Sequence, residues 1–299
     1  MSVRFTEKEY KNFGKCLFME NGSAVLGVTI DRGPRVIYFA LEGKENVMLE
    51  DLDRKFTLDT GDYGTWYNCG GHRLWVAPEF VPETYSPDND KVTYEINGST
   101  VTFTPPATPF GKQLSIELTL DDTEPVARLT HSIRNVSSES AEYAAWSITG
   151  LCPGGVLKVP MCTRKSGFLP NRVISLWDYS SVNDPRFKLT DTEARLRQDR
   201  HIKGAFKAGF NNEDGFAAYG VNEQIFVKTF GEYEFVKYPD YSCNFETYTN
   251  DAFLECEVIG EMRSYAPGEA AVISECWKLL DNPGDSEPDL DKVRAAIGK

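Results

Sequence analysis

Residues Asn68 to Glu79 read NCGGHRLWVAPE, and this stretch holds one of only three histidines in the chain. Two glycines precede His72, and Arg73, Trp75 and Glu79 follow it. Gly70 and Gly71 allow a turn with unusual backbone angles. An imidazole, a guanidinium, an indole and a carboxylate in so short a span suit a polyhydroxylated ligand. Arg and His donate to hydroxyls, carboxylates accept from them, and an indole face covers the apolar side of a sugar ring. The plainer alternative is a glycine turn that leads into a strand with Trp75 in the core.

The elements that must position these groups read as strands. Ser23–Ile30, Arg35–Leu41, Lys91–Ile96, Thr100–Thr104, Gln113–Leu120 and Ala127–Ile133 alternate or are rich in β-branched residues. So do Ala141–Ile148, Phe216–Tyr219, Gln224–Thr229, Phe253–Ile259 and Ala270–Leu279. Thr192–Asp199 leans to strand. Asn97-Gly98 reads as a two-residue hairpin turn. Pro82–Asp90 and Tyr179–Pro185 read as loops. The one good helix pattern is Pro288–Ile297, with Ser286 as its cap. Many short strands separated by turns predict an all-β sandwich or barrel. No linker interrupts the pattern, so residues 1–299 are expected to form a single domain.

Hydrophobic residues make up 41% of the chain and its formal net charge is -13. That charge argues against nucleic acid or an anionic membrane surface as partner, since both demand basic patches. The seven cysteines are dispersed and form no CxxC pair, which disfavours a zinc site or a disulfide framework. The N-terminal MSVRFTEKEYKNFGK is too polar for a signal peptide, and no apolar run approaches the roughly 18 residues of a membrane span. A cytoplasmic protein is expected, with no metal and no cofactor. Nothing in the sequence fixes an oligomeric state.

Four blocks together resemble a known superfamily: GVTIDRGPRVIYFALEGKENVMLED (27–51), YNCGGHRLWVAPE (67–79), LTHSIRNVSSESAEYAAWSITGLCPGGVLKVP (129–160) and NFETYTNDAFLECEVIGEMRSYAPGEAAVISECWKLL (244–280). Their order and spacing resemble the galactose-mutarotase-like proteins, and within them the DUF4380 branch, over about residues 14–280. The resemblance implies a β-supersandwich: two large, mostly antiparallel sheets face to face, with a cleft for sugars. It implies an aldose 1-epimerase-like isomerase acting on a small-molecule carbohydrate. A non-catalytic sugar binder, another carboxylate-driven carbohydrate enzyme, or an interaction module that has lost its ligand stay open, because this fold hosts several functions.

Mutarotation needs a base at the anomeric hydroxyl and an acid at the ring oxygen. By motif position, Glu246 corresponds to the family's catalytic carboxylate, and His72 and Arg73 to its early His/Arg. Where true mutarotases carry a mid-chain catalytic His, this chain has AAWSITG, with Trp146. The resemblance therefore leaves Glu246 as the candidate base at the anomeric hydroxyl and His72 as the candidate acid or ring-oxygen donor. Arg73, Trp75, Glu79, Trp146 and Arg35 are the expected substrate-binding residues. Lys203 joins them, and Lys203 and Lys207 are the candidate partners for an acidic group on the ligand. His131 has Leu129 and Ile133 as same-face neighbours and is expected to face the core. His201 is expected at the surface, and Trp277 in the core.

Overall fold

The computed structural model describes residues 3–299. Two large antiparallel sheets dominate it. One has eleven strands. Its path runs Arg4–Glu9, Lys15–Glu20, Ala24–Thr29, Val36–Leu41, His72–Ala77, Ala141–Leu151, Leu254–Ile259, Phe245–Thr249, Phe206–Phe210 and Ile174–Leu176. The eleventh strand, Arg263–Tyr265, pairs with the start of Ala141–Leu151. The second sheet has ten strands: Phe187–Leu189, Glu193–Arg197, Val156–Pro160, Phe216–Val221, Gln224–Phe230, Ala270–Asp281, Val126–Asn135, Lys112–Leu120, Thr100–Thr104 and Thr93–Asn97. A small hairpin, Thr57–Asp59 with Thr65–Tyr67, stands apart from both.

The main core lies between the sheets. Leu26, Phe39, Leu74 and Val258 from the first meet Phe103, Leu118, Leu129, Phe226 and Leu279 from the second. Alternation decides which side chains arrive there, because successive residues of a strand point to opposite faces. Thus Leu74 and Val76 enter the main core, while Trp75 and Ala77 join a separate cluster with Trp66, Ala144, Trp146, Ile148 and Ile259 on the outer face. The strand Ala270–Asp281 joins two parts of the second sheet, because it pairs with Val126–Asn135 on one side and Gln224–Phe230 on the other.

The expected strands are present, several extended by one to three residues. Thr192–Asp199 holds the strand Glu193–Arg197. The polar N-terminal segment Arg4–Glu9 is also a strand, at the sheet's edge and largely exposed; charged edge strands give no alternating signal. Two local readings are corrected. The hairpin pairs Asn97 with Thr100, so its loop is Gly98-Ser99 rather than Asn97-Gly98. The C-terminal helix spans Leu290–Ile297 and is capped by Asp289, whose carboxylate accepts from the amides of Asp291 and Lys292 at 3.0 and 3.3 Å. Ser286 instead donates to Asn282 Oδ1 at 2.8 Å.

Candidate functional site

Register builds a cluster of charge on the outer face of the eleven-stranded sheet. Arg73 stands opposite Ile148, and Ile148 opposite Glu257. Glu257 stands opposite Glu246, and Tyr248 opposite both Glu255 and Lys207. Directly opposed residues in antiparallel strands share a face. Arg73, Trp75, Trp146, Glu246, Glu255, Glu257 and Lys207 therefore project to one side, drawn from five strands.

The Lys207 ammonium is the hub. It lies 2.8 Å from Glu246 Oε2 and 3.1 Å from Glu257 Oε2. It also sits 4.5 Å from the ring centres of both Trp146 and Trp177. Trp146 donates its indole N–H to Glu257 Oε2 at 3.0 Å. Beside this group, Arg73 pairs with Glu255 at 3.1 Å and stacks 4.1 Å over Trp75. Gly209 stands opposite Glu246, and a Cβ there would meet Cys243 Sγ at 2.6 Å.

Three carboxylates thus share two cations, and all five groups are buried. Burial raises the Glu246 carboxyl well above the ordinary carboxylate range; Lys207 opposes the rise and Glu257 adds to it. Glu255 is raised by the same burial, against the pull of Arg73. For Lys207 burial works to lower the pKa, but Glu257 and Glu246 overcome it and hold the ammonium charged. Glu246 Oε1, Glu257 Oε1 and Arg73 Nε make no hydrogen bond, and the contact between Lys207 and Glu246 Oε2 is an ion pair without hydrogen-bond alignment.

The candidate acid–base pair of the sequence is separated by this geometry. His72 neighbours Arg73, so it points through the sheet into the main core, away from Glu246. There its Nδ1 lies 2.9 Å from Thr149 Oγ1 and its Nε2 lies 2.6 Å from His131 Nε2. Lys228 donates to Thr149 Oγ1 at 3.0 Å and pairs with Glu275 at 3.2 Å. Trp277 donates to Glu275 at 2.8 Å, and Ser147 donates to the same carboxylate. Burial, then His131 and Lys228, push the His72 imidazole well below its ordinary range. Burial likewise lowers His131, against the pull of Glu275. One ligand atom each from His72, His131 and Glu275 lie within 4.8 Å of one another. A divalent cation fits poorly there, because Lys228 already holds the carboxylate and the two imidazoles hold each other.

The other expected residues divide. Arg73, Trp75 and Trp146 stand with Glu246. Glu79 is exposed and accepts from the Tyr85 hydroxyl, whose ring packs 4.7 Å from Trp75 at the rim. Arg35 is buried elsewhere, paired with Asp88 and 3.4 Å from the Asn68 carbonyl. Lys203 is exposed and makes no ion pair among the described residues, whereas Lys207 is central. The glycines before His72 serve backbone packing: Gly70 and Gly71 have φ of +90° and +63°, and a Cβ at either would strike a carbonyl, that of Leu49 or Val36. Sequence reasoning passed over Glu257 and Trp177 as site residues. The signal for Glu257 was its place two residues after Glu255 in the apolar run LECEVI, which puts both on one face.

No family model matches the sequence, and no curated protein matches it. Solved structures do. A galactose mutarotase-like protein from Lactobacillus casei superposes with a TM-score of 0.56 at 12% identity, covering 89% of this chain and 100% of that one. A protein from Klebsiella pneumoniae named "putative aldose 1-epimerase" gives 0.62 at 11% identity, over 98% and 86%. A TPR-domain containing protein from Parabacteroides distasonis gives 0.60 at 14% identity; this chain covers 51% of its length. At such identities the likeness establishes the fold: a galactose mutarotase-like β-sandwich.

Proposed function

We propose that the protein takes a carbohydrate on the outer face of the eleven-stranded sheet and acts as an aldose 1-epimerase-like isomerase. The observation that carries this reading is the Glu246–Lys207–Glu257 group, with carboxylate oxygens lacking hydrogen bonds, beside the indoles of Trp146 and Trp75. Trp146 lies in the third sequence block and Glu246 and Glu257 in the fourth, in line with the DUF4380-like resemblance, while Lys207 lies outside all four. Glu246, whose carboxyl burial shifts toward the protonated form, serves as the acid at the ring oxygen. Glu257, held by Lys207 and Trp146, serves as the base at the anomeric hydroxyl. The C1–ring oxygen bond breaks as one proton arrives and the other leaves, giving the open aldehyde. Rotation and the reverse transfers close the opposite anomer. Glu246 thereby takes the acid role first expected of His72, and Glu257 the base role first expected of Glu246. Arg73 and Glu255 orient hydroxyls. Entry of a sugar ring requires Trp177 to move off Lys207.

A second reading, a carbohydrate binder without turnover, is favoured by the mutual ion pairing and deep burial of the same residues. NMR exchange between α and β anomers, across a panel of aldoses, separates the two. The isomerase reading expects exchange faster than buffer that Glu246→Gln abolishes. Saturable binding with exchange at the buffer rate leaves the binder, and no binding at millimolar concentration defeats both.

A further inference from the structure

The eleven-stranded sheet has a gap. Val36–Leu41 and His72–Ala77 are neighbours but pair only at Val36 and His72. The Gly71 carbonyl accepts from the Gly150 amide at 2.8 Å, while its own amide donates to the Leu49 carbonyl at 2.9 Å; in the ladder that follows, Arg73 and Trp75 direct their backbone groups toward Ala141–Leu151. His72, Leu74 and Val76 direct theirs the other way, by the alternation of an antiparallel ladder. On that side the Val76 carbonyl accepts from Thr84 Oγ1 at 2.9 Å. By that alternation the amide and carbonyl of Leu74 and the amide of Val76 face the gap, where no strand ladder pairs them. Both residues are buried, and buried backbone groups are almost always paired.

A pocket of about 140 Å³ opens beside this edge, walled by Leu74, Val76, Pro34, Trp66, Pro106 and Ile116. The Trp66 indole N–H is buried and also unpartnered. The volume is close to the roughly 150 Å³ that holds a benzene ring in an engineered apolar cavity. The charges at the rim favour a neutral guest. Arg35 is neutralised by Asp88 and Glu83 by Lys112, which leaves Asp90 as surplus negative charge.

We propose that this pocket binds a compact, uncharged ring compound carrying a carboxamide. The ring fills the apolar walls. The amide supplies both a donor for the free carbonyl of Leu74 and an acceptor for the free N–H groups of Leu74, Val76 or Trp66. The pocket shares Trp75 with the aromatic cluster on the outer face but is lined by none of Glu246, Lys207 and Glu257, and the proposal does not rest on the carbohydrate reading.

Benzamide is the probe, with toluene and benzoate as controls, titrated against the full chain by saturation-transfer NMR. Saturable binding of benzamide is expected, with both controls at least about tenfold weaker. Ala107→Trp, at an exposed position on the rim, should abolish binding with the circular dichroism spectrum unchanged. Ser115→Phe blocks the same pocket from the opposite wall and should act alike. Trp66→Phe removes the N–H together with part of the aromatic wall and should weaken binding several-fold. The proposal is overturned if benzamide fails to saturate by about 10 mM, if toluene binds as well as benzamide, or if both blocking variants fold and still bind.

Discussion

The strand His72–Ala77 separates two buried polar clusters that differ in how well their members satisfy one another. On the inner side, Glu275 accepts from Trp277 and Ser147 and forms an ion pair with Lys228, Thr149 bridges Lys228 and His72, and the two imidazoles pair; His131 Nδ1 alone lacks a partner. On the outer side, two carboxylates and a guanidinium retain atoms without hydrogen bonds. A cluster that closes on itself cements two sheets. A cluster left open is fit to receive something, since a buried polar group without a partner costs about 1–3 kcal/mol. Similar residue types on two faces of one strand thus do different work.

Removal of the two lysines tests this contrast hardest. Lys207→Met strands Glu246 and Glu257, and Lys228→Met strands Glu275; breaking a buried pair from one side typically costs about 3–5 kcal/mol. Lys228→Met should be the worse tolerated, because Glu246 can take a proton in the other variant. Urea unfolding at pH 7 measures both, and equal losses would remove the distinction drawn between the clusters.

Next in size is Glu246→Gln. If Glu246 is the proton donor, anomer exchange should fall by roughly 10²–10⁴-fold. Stability should move oppositely with pH. A carboxyl whose folded pKa is raised stabilises least at high pH: its contribution is complete below about 4.3 and is lost as pH climbs through the folded value. The variant should therefore gain stability over the parent chain at pH 8 relative to pH 4. A parallel pair of stability–pH curves would contradict the raised pKa of the buried Glu246 carboxyl.

The inner cluster has the reverse sign. His72 and His131 have lowered pKa values, so the unfolded chain binds more protons below about pH 6.5. Stability should fall as pH drops below that point, by at most about 1.4 kcal/mol per pH unit per imidazole. His131→Gln should flatten this slope without touching the alkaline behaviour of Glu246. Smallest is Trp75→Phe, which keeps the aromatic cluster but shrinks the platform; sugar affinity should drop by a few-fold, about 0.5–1 kcal/mol, as read by calorimetry.

The sheet framework was legible because alternation and turn residues record which face each side chain takes. The site was legible only in part. Glu246, Arg73, Trp75 and Trp146 share one face, and each belongs to a block that drew attention in the sequence. His72 misled because chemistry was read from proximity in the chain, whereas in a strand the nearest neighbour lies on the other side. Lys207 gained its role from strand order: only the pairing of Phe206–Phe210 with Phe245–Thr249 sets it against Glu246. Arg35 was read as near the ligand because it begins a strand, yet Asp88 on a distant loop captures it.

The strand Ala270–Asp281 also sets a schedule. Its partners, Val126–Asn135 and Gln224–Phe230, are made well before it, and neither contacts the other through a ladder. On the ribosome, the second sheet must therefore wait as two unjoined halves until Ala270–Asp281 has emerged. During that interval His131 and Lys228 lack Glu275 and Trp277, and two unpaired strand edges stand open to neighbouring chains. Such late, non-local closure makes folding slow. Yield in cells should respond to growth temperature and chaperone supply more than the stability of the finished protein would suggest.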